Sequence, residues 1–210
     1  AGLSAGASDA VQSVIDPDME ALFEEFLTER ENVTISAAES QPQLQPYHYM
    51  VRDTEHKGLC LHNGHLVATS LQGANAIQEG GCLGWRGGGN PTHGCSHSPH
   101  LLIEPISVVP NRHLERKRCP LIVGIRGGTQ ALSCGTGPKP QLKLEEVKLL
   151  DLFFREEATP YTFYKTFSGS THTFESAAFP GHFLSTARGH GEPLALAPPS
   201  AITTFYLIRK

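Results

Sequence analysis

From Tyr47 onward, short apolar runs alternate with clusters of turn residues about every ten positions, the punctuation of an all-β domain. The clearest unit is Lys57-Gly-Leu-Cys-Leu-His, then Asn63-Gly64, then His65-Leu-Val-Ala-Thr-Ser. Asn-Gly supplies the two φ > 0 positions of a type I′ turn between β-prone runs, which predicts a hairpin. Further strands are predicted at residues 47–53, 105–109, 121–126, 130–134, 141–144, 161–166, 171–176, 182–186, 193–197 and 203–208. Helical periodicity is nearly absent here; only residues 145–153 have room for a turn or two.

The amino-terminal stretch follows another period. Asp16-Pro17 reads as N-cap and first helical position, and Met19, Leu22, Phe23, Phe26 and Leu27 recur at i, i+3, i+4, i+7 and i+8, which predicts one amphipathic helix. Residues 31–46 are polar, broken by Pro and without period, the composition of a protease-accessible linker. The chain therefore divides near Pro46 into an extension, 1–46, and a domain, 47–210.

Charge sharpens that division. Residues 1–46 hold nine acidic residues against Arg30 alone, a net of −8, leaving 16 basic and 12 acidic residues, or +4, for the remainder of the 210. A nucleic-acid-binding domain is normally far more basic, so that class of partner is not expected. No apolar run approaches the roughly 20 residues needed to cross a bilayer, so no membrane insertion is expected. The first residues lack the basic start and apolar stretch of a secretory signal, and five Cys form too sparse a set for a disulfide framework. Synthesis in the cytosol, with at least one free thiol, is the expectation.

Residues 80–103 break the alternating pattern with seven Gly, the only Trp, and His and Cys close together. They read as an inserted, poorly ordered loop. Cys82, His93, Cys95, His97 and His100 are zinc-competent residue types, but their spacing does not form the paired knuckles of a structural site, so neither metal nor cofactor is expected. Gly87-Gly88-Gly89 is followed by neither Lys-Ser/Thr nor a helix, so it is no phosphate loop. Ser133 and Ser185 lack a nucleophile elbow, and no catalytic residue is expected. The run from Arg112 to Arg118, interrupted by Glu115, reads as a solvated loop. Asn32-Val33-Thr34 matches the glycosylation sequon, which without a signal segment is not expected to be used.

One motif is long and specific. Phe174-Glu-Ser176-Ala177-Ala-Phe-Pro180-Gly-His-Phe183-Leu184-Ser185-Thr186, with Leu194 eight residues on, resembles the interleukin-1 family signature. Stretches in the right order add to it: His62-Asn-Gly-His-Leu66, Leu71-Gln72-Gly73, Ile106-Ser-Val-Val-Pro110-Asn-Arg112, Gly124-Ile-Arg-Gly127-Gly128, Leu132-Ser-Cys134 and Phe205-Tyr206. The resemblance spans 47–210 and is nearest the family's receptor-antagonist branch. Two features depart from it: His182 stands where the family usually has Trp, and the 80–103 insertion has no counterpart.

The resemblance implies a twelve-strand β-trefoil without catalytic activity. It implies an extracellular, monomeric ligand of an interleukin-1 receptor family ectodomain, secreted without a signal peptide, that modulates inflammatory and innate immune signalling. It places receptor contacts at Arg52 and His56, at Ser70 and Gln72, and at Tyr206, positions that the strand pattern alone reads as solvent-facing. The short stretch between the last two strands, residues 198–202, favours antagonism. The acidic segment resembles a propiece, commoner among agonists, which also recruit an accessory receptor chain. That segment is expected either to lie across the face holding Arg52 until cut between Gln41 and Pro46, or to be a tail without effect. A different class stays open beside these: an intracellular binding protein that uses the acidic helix and the His/Cys loop.

Overall fold

The computed structural model describes residues 16–32, 44–70 and 103–210, with side chains of the first segment described as far as Leu27. Helix α1 spans Pro17–Asn32. Thirteen strands follow among the described residues: β1 Tyr47–Asp53, β2 Lys57–His62, β3 His65–Ser70, β4 Ile106–Pro110, β5 Pro120–Ile125, β6 Gln130–Ser133, β7 Lys143–Glu145, β8 Thr162–Ser168, β9 Thr171–Ser176, β10 Phe183–Ser185, β11 Glu192–Pro193, β12 Ala195–Ala197 and β13 Phe205–Arg209. A short helix α2, Leu149–Phe154, lies between β7 and β8.

Strand pairing closes a ring. β1 pairs with β13, β13 with β9, β9 with β8, β8 with β5, β5 with β4 and β4 with β1, all antiparallel, so six strands form a barrel without open edges. The pairs β2–β3, β6–β7 and β10–β12 stand outside it as three hairpin-like units. This threefold set on a six-stranded barrel is a β-trefoil. Twelve strands were expected and thirteen segments occur, because the run expected at 193–197 is split at Leu194. Glu192–Pro193 pairs with β3, the Leu194 side chain turns into the core, and Ala195–Ala197 pairs with β10.

The β2–β3 hairpin forms at Asn63-Gly64, where φ is 49° and 77°. Gly124 sits where chains approach closely: a Cβ there would lie 2.2 Å from the Gln130 carbonyl oxygen. Ile103, counted with the insertion, bridges to Cys60, and the Glu104 amide donates to the Leu59 carbonyl at 2.8 Å. The last residue of that stretch is thus tied to the sheet, while the remainder of the insertion lies outside the described residues.

α1 begins as its cap chemistry dictates. The Asp16 carboxylate accepts from the Met19 amide at 2.9 Å, with Pro17 at the first helical position. Met19, Leu22, Phe23 and Phe26 are all buried and belong to the same core cluster as the barrel residues Val108, Leu121 and Phe163. Full burial of four such side chains contributes about 6–12 kcal/mol before the cost of ordering the helix.

The segment expected to lie across the Arg52 face or to be a tail is, over residues 16–27, seated in the core cluster instead. The helix is packed against the trefoil, its apolar stripe enclosed and Asp16, Asp18 and Glu24 paired with Lys165, Arg209 and Arg116. The run Arg112–Arg118 is largely exposed, as the solvated-loop reading has it, and three of its cations have partners. Arg116 pairs with Glu24 at 3.2 Å and lies 5.6 Å from the Phe23 ring centroid. Arg118 pairs with Glu175 at 2.9 Å over the Tyr164 ring, and Arg112 donates to the Phe154 carbonyl at 3.2 Å.

Candidate functional site

β1 alternates cleanly: Tyr49, Val51 and Asp53 are buried, while Met50 and Arg52 are half-buried on the opposite face. Cross-strand partners share a face, so the register carries this alternation into β13. Tyr49 opposes Arg209, Val51 opposes Leu207 and Asp53 opposes Phe205 on the inner face; Met50 opposes Ile208 and Arg52 opposes Tyr206 on the outer.

His56 follows β1 in a left-handed conformation, φ 62°, that brings its ring parallel to the Tyr206 ring, centroids 6.2 Å and planes 10° apart. Its backbone is fixed from below. The Asp53 carboxylate, fully buried, accepts from the backbone amides of Glu55 and Lys57 at 2.9 Å each and from Thr186 Oγ1 at 2.5 Å. The Lys57 ammonium, also buried, lies 3.4 Å from Asp53 and donates to the Ala187 carbonyl and to Glu55. The His56 amide closes the turn onto the Asp53 carbonyl at 3.0 Å. A buried ion pair thus holds an exposed imidazole against an aromatic ring.

The structure brings Arg52, His56 and Tyr206 together. Ser70, at the end of β3, opposes Lys57, one residue from His56, on the strand series β3–β2–β1–β13. Gln72 lies outside the described residues. Two outer-face residues were missed: Met50, and Ile208, whose side chain is 58% exposed beside Tyr206. An apolar residue at an exposed position late in a strand was the available signal.

The signature residues prove to be architectural. Phe174, Leu184 and Leu194 are core side chains, and Phe174 meets Phe205 edge-on at 6.2 Å. Ser176 Oγ accepts from the Phe179 amide at 3.1 Å, and the Ala177 amide donates to the Thr162 carbonyl, together setting the turn that contains Pro180. Phe183 opens β10 opposite Ala197, Ser185 Oγ donates to the Ala195 carbonyl, and Thr186 reaches Asp53. His182 packs against Phe179, centroids 6.5 Å apart. The motif therefore acts on the surface indirectly, through Thr186.

Among the described residues, no group of three or more His, Cys, Asp or Glu is arranged to hold a metal ion, and no helix is long and apolar enough to cross a membrane. The candidate zinc-type residues Cys82, His93, Cys95, His97 and His100 lie outside them. Cys60, Cys119 and Cys134 are free and buried. Burial pushes the Cys119 thiol up to about 12 and Cys134 to about 11, the opposite of what a nucleophilic cysteine needs.

Known proteins agree with this architecture. The family model described as Interleukin-1 / 18 matches residues 104–207. The interleukin-36 receptor antagonist protein of Homo sapiens is 36% identical over 149 residues, 70% of this chain and 81% of that protein. The interleukin-1 receptor antagonist protein of Homo sapiens is 32% identical over 173 residues, 81% and 80% of the two chains. In structure, chicken interleukin-1 beta matches with a TM-score of 0.57 at 24% identity, over 78% of this chain and 96% of that one. The pro-inflammatory cytokine interleukin-36alpha matches with 0.54 at 25% identity, over 82% and 99%. The chain belongs to the interleukin-1 family: it is a β-trefoil cytokine and not an enzyme.

Proposed function

We propose that this cytokine is an extracellular, monomeric ligand of an immunoglobulin-like receptor of the interleukin-1 and interleukin-36 class, and that it acts as an antagonist. The receptor-facing surface is the outer face of β1 and β13, with Arg52, His56 and Tyr206 at its centre and Ser70 on the same strand series; Gln72 is a further proposed contact. The observation that carries this reading is the His56–Tyr206 stack beside the Arg52–Tyr206 pair, a rigid aromatic and cationic patch held by the buried Asp53–Lys57 pair. Tyr and Arg are the residue types on which binding energy concentrates.

Two observations favour antagonism. The two relatives compared by sequence are named receptor antagonists. The connection from β12 to β13 is also short and pinned, with the Ala201 amide on the Pro198 carbonyl and the Thr186 amide on the Ile202 carbonyl. It offers little surface to a second receptor chain. An agonist activated by amino-terminal trimming is the competing reading, favoured by the acidic extension.

Size-exclusion binding to receptor ectodomains of this class, with and without the accessory chain, separates the two. A binary complex that the accessory chain does not join supports antagonism, and a ternary complex makes the protein an agonist. Failure to bind any ectodomain of the class overturns the reading.

A further inference from the structure

The trefoil presents a second organised face, the one beneath α1. Its centre is apolar, where the Phe153 ring meets Phe26 edge-on, centroids 5.2 Å apart. Cations flank it, Lys165 buried and Arg209 and Arg116 at the exposed rim. Lys165 pairs with Asp16 at 2.5 Å, Arg209 with Asp18 at 3.7 Å and Arg116 with Glu24 at 3.2 Å, while the Tyr47 hydroxyl donates to Glu25 at 2.7 Å. Charge sorts completely across these contacts: carboxylates on the helix, cations and a hydroxyl donor on the trefoil. Glu24 and Asp18 remain 64% and 51% exposed, as rim residues do, while Met19, Leu22, Phe23 and Phe26 are enclosed. An apolar centre within a polar rim is the anatomy of an interface. Anchors at i, i+3, i+4 and i+7 are how an amphipathic helix fills a groove.

This face is distinct from the outer surface. Arg209 and Tyr47 lie on the inner-face positions of β13 and β1, whereas Arg52 and Tyr206 alternate outward. Along β1 the helix meets the Tyr47 end, and His56 follows the Asp53 end, ~20 Å away at the rise of a strand.

We infer that the face formed by Tyr47, Arg116, Phe153, Lys165, His172 and Arg209 is a second interaction surface, a socket for an acidic amphipathic helix, and that α1 is its tethered ligand. The occupant is the segment 16–27: in cis in the intact chain, and from a second copy once the tether is cut. A short tether gives its ligand an effective concentration in the mM range, so a helix from outside cannot displace α1 while the chain is continuous. Cutting the chain within residues 33–43 removes that advantage without removing the helix. Trimming then leaves a two-piece protein whose helix exchanges. The inference is independent of what the outer face binds.

The test uses the full chain with a specific protease sequence substituted within residues 33–43, compared before and after cutting. A fluorescent peptide of residues 14–32 is added in excess, and label is read in the trefoil peak by size exclusion. The released amino-terminal piece is expected to co-elute with the trefoil after cutting. Label is expected in the cut protein at least tenfold above the uncut, and not with a peptide carrying Phe23→Asp and Phe26→Asp. Immediate loss of the piece on cutting overturns the inference, as does a retained piece that the peptide never replaces, or equal uptake of the altered peptide.

Discussion

Thr186 Oγ1 donates to the buried Asp53 carboxylate at 2.5 Å, joining the end of the family signature to the end of β1 across 133 residues of sequence. Removing it leaves a buried charge one hydrogen bond short. Thr186→Val is expected to lower unfolding free energy by about 1.5–3 kcal/mol, the worth of a hydrogen bond to a charged group. Asp53→Ala strands the Lys57 ammonium and is expected to cost about 3–5 kcal/mol. Denaturant unfolding of both variants reads this; an unchanged midpoint in either contradicts it.

The helix gives a second stability prediction. Phe26 is enclosed against Phe153, so Phe26→Ala in the full chain is expected to cost about 3–5 kcal/mol. A tail without contacts would make the change silent. Thermal unfolding of the two full-length proteins distinguishes the cases.

Acid should loosen the helix socket. Burial, then the Lys165 ammonium, push the His172 imidazole down to about 4 from its usual 6.5, with Asp16 pulling the other way. The unfolded chain takes up this proton near pH 6.5 and the folded one only near 4. The stability is therefore fully present above 6.5 and lost as pH falls to 4, on the order of 3 kcal/mol. Burial pushes the Asp16 carboxyl up, but its hydrogen bonds from Lys165 and the Met19 amide, with the nearby positive charge, outweigh that and hold it below 3.8. Its contribution is lost only at still lower pH. Urea midpoints measured from pH 7.5 to 4 should fall, and His172→Gln should flatten the fall; an equal slope in both proteins contradicts the assignment.

Buried thiols should be inert. Cys60, Cys119 and Cys134 are enclosed and their thiols pushed up by burial, so alkylation at pH 8 followed by peptide mapping should leave all three unmodified until denaturant is added. Modification of any of them in the native protein would show that the core opens.

Local pattern carried much of this fold. β1 and β9 begin and end where alternation in the sequence places them, and Asn63-Gly64 announces its hairpin, because each signal is complete within a few residues. Contacts that depend on distant partners were not legible. Arg116 finds Glu24 across 92 residues, so an exposed basic run also supplies a partner to α1. Leu194 breaks one expected strand into two because its neighbours pair with different strands, a fact of topology that composition does not encode. At the candidate surface, resemblance supplied Arg52, His56 and Tyr206, but only the register shows that they meet and that Ile208 extends them. The same register shows why α1 cannot lie over them: Tyr47 and Arg209, which it touches, alternate to the other face.

The most direct test of a receptor-binding outer face is the affinity of Tyr206→Ala for the receptor ectodomain that the unaltered chain binds, measured beside its thermal unfolding. Tyr206 is half-buried on the outer face and outside the core cluster, so folding should be retained while binding weakens by about 1–3 kcal/mol. Unchanged affinity in a normally folded Tyr206→Ala protein would contradict the assignment of this face.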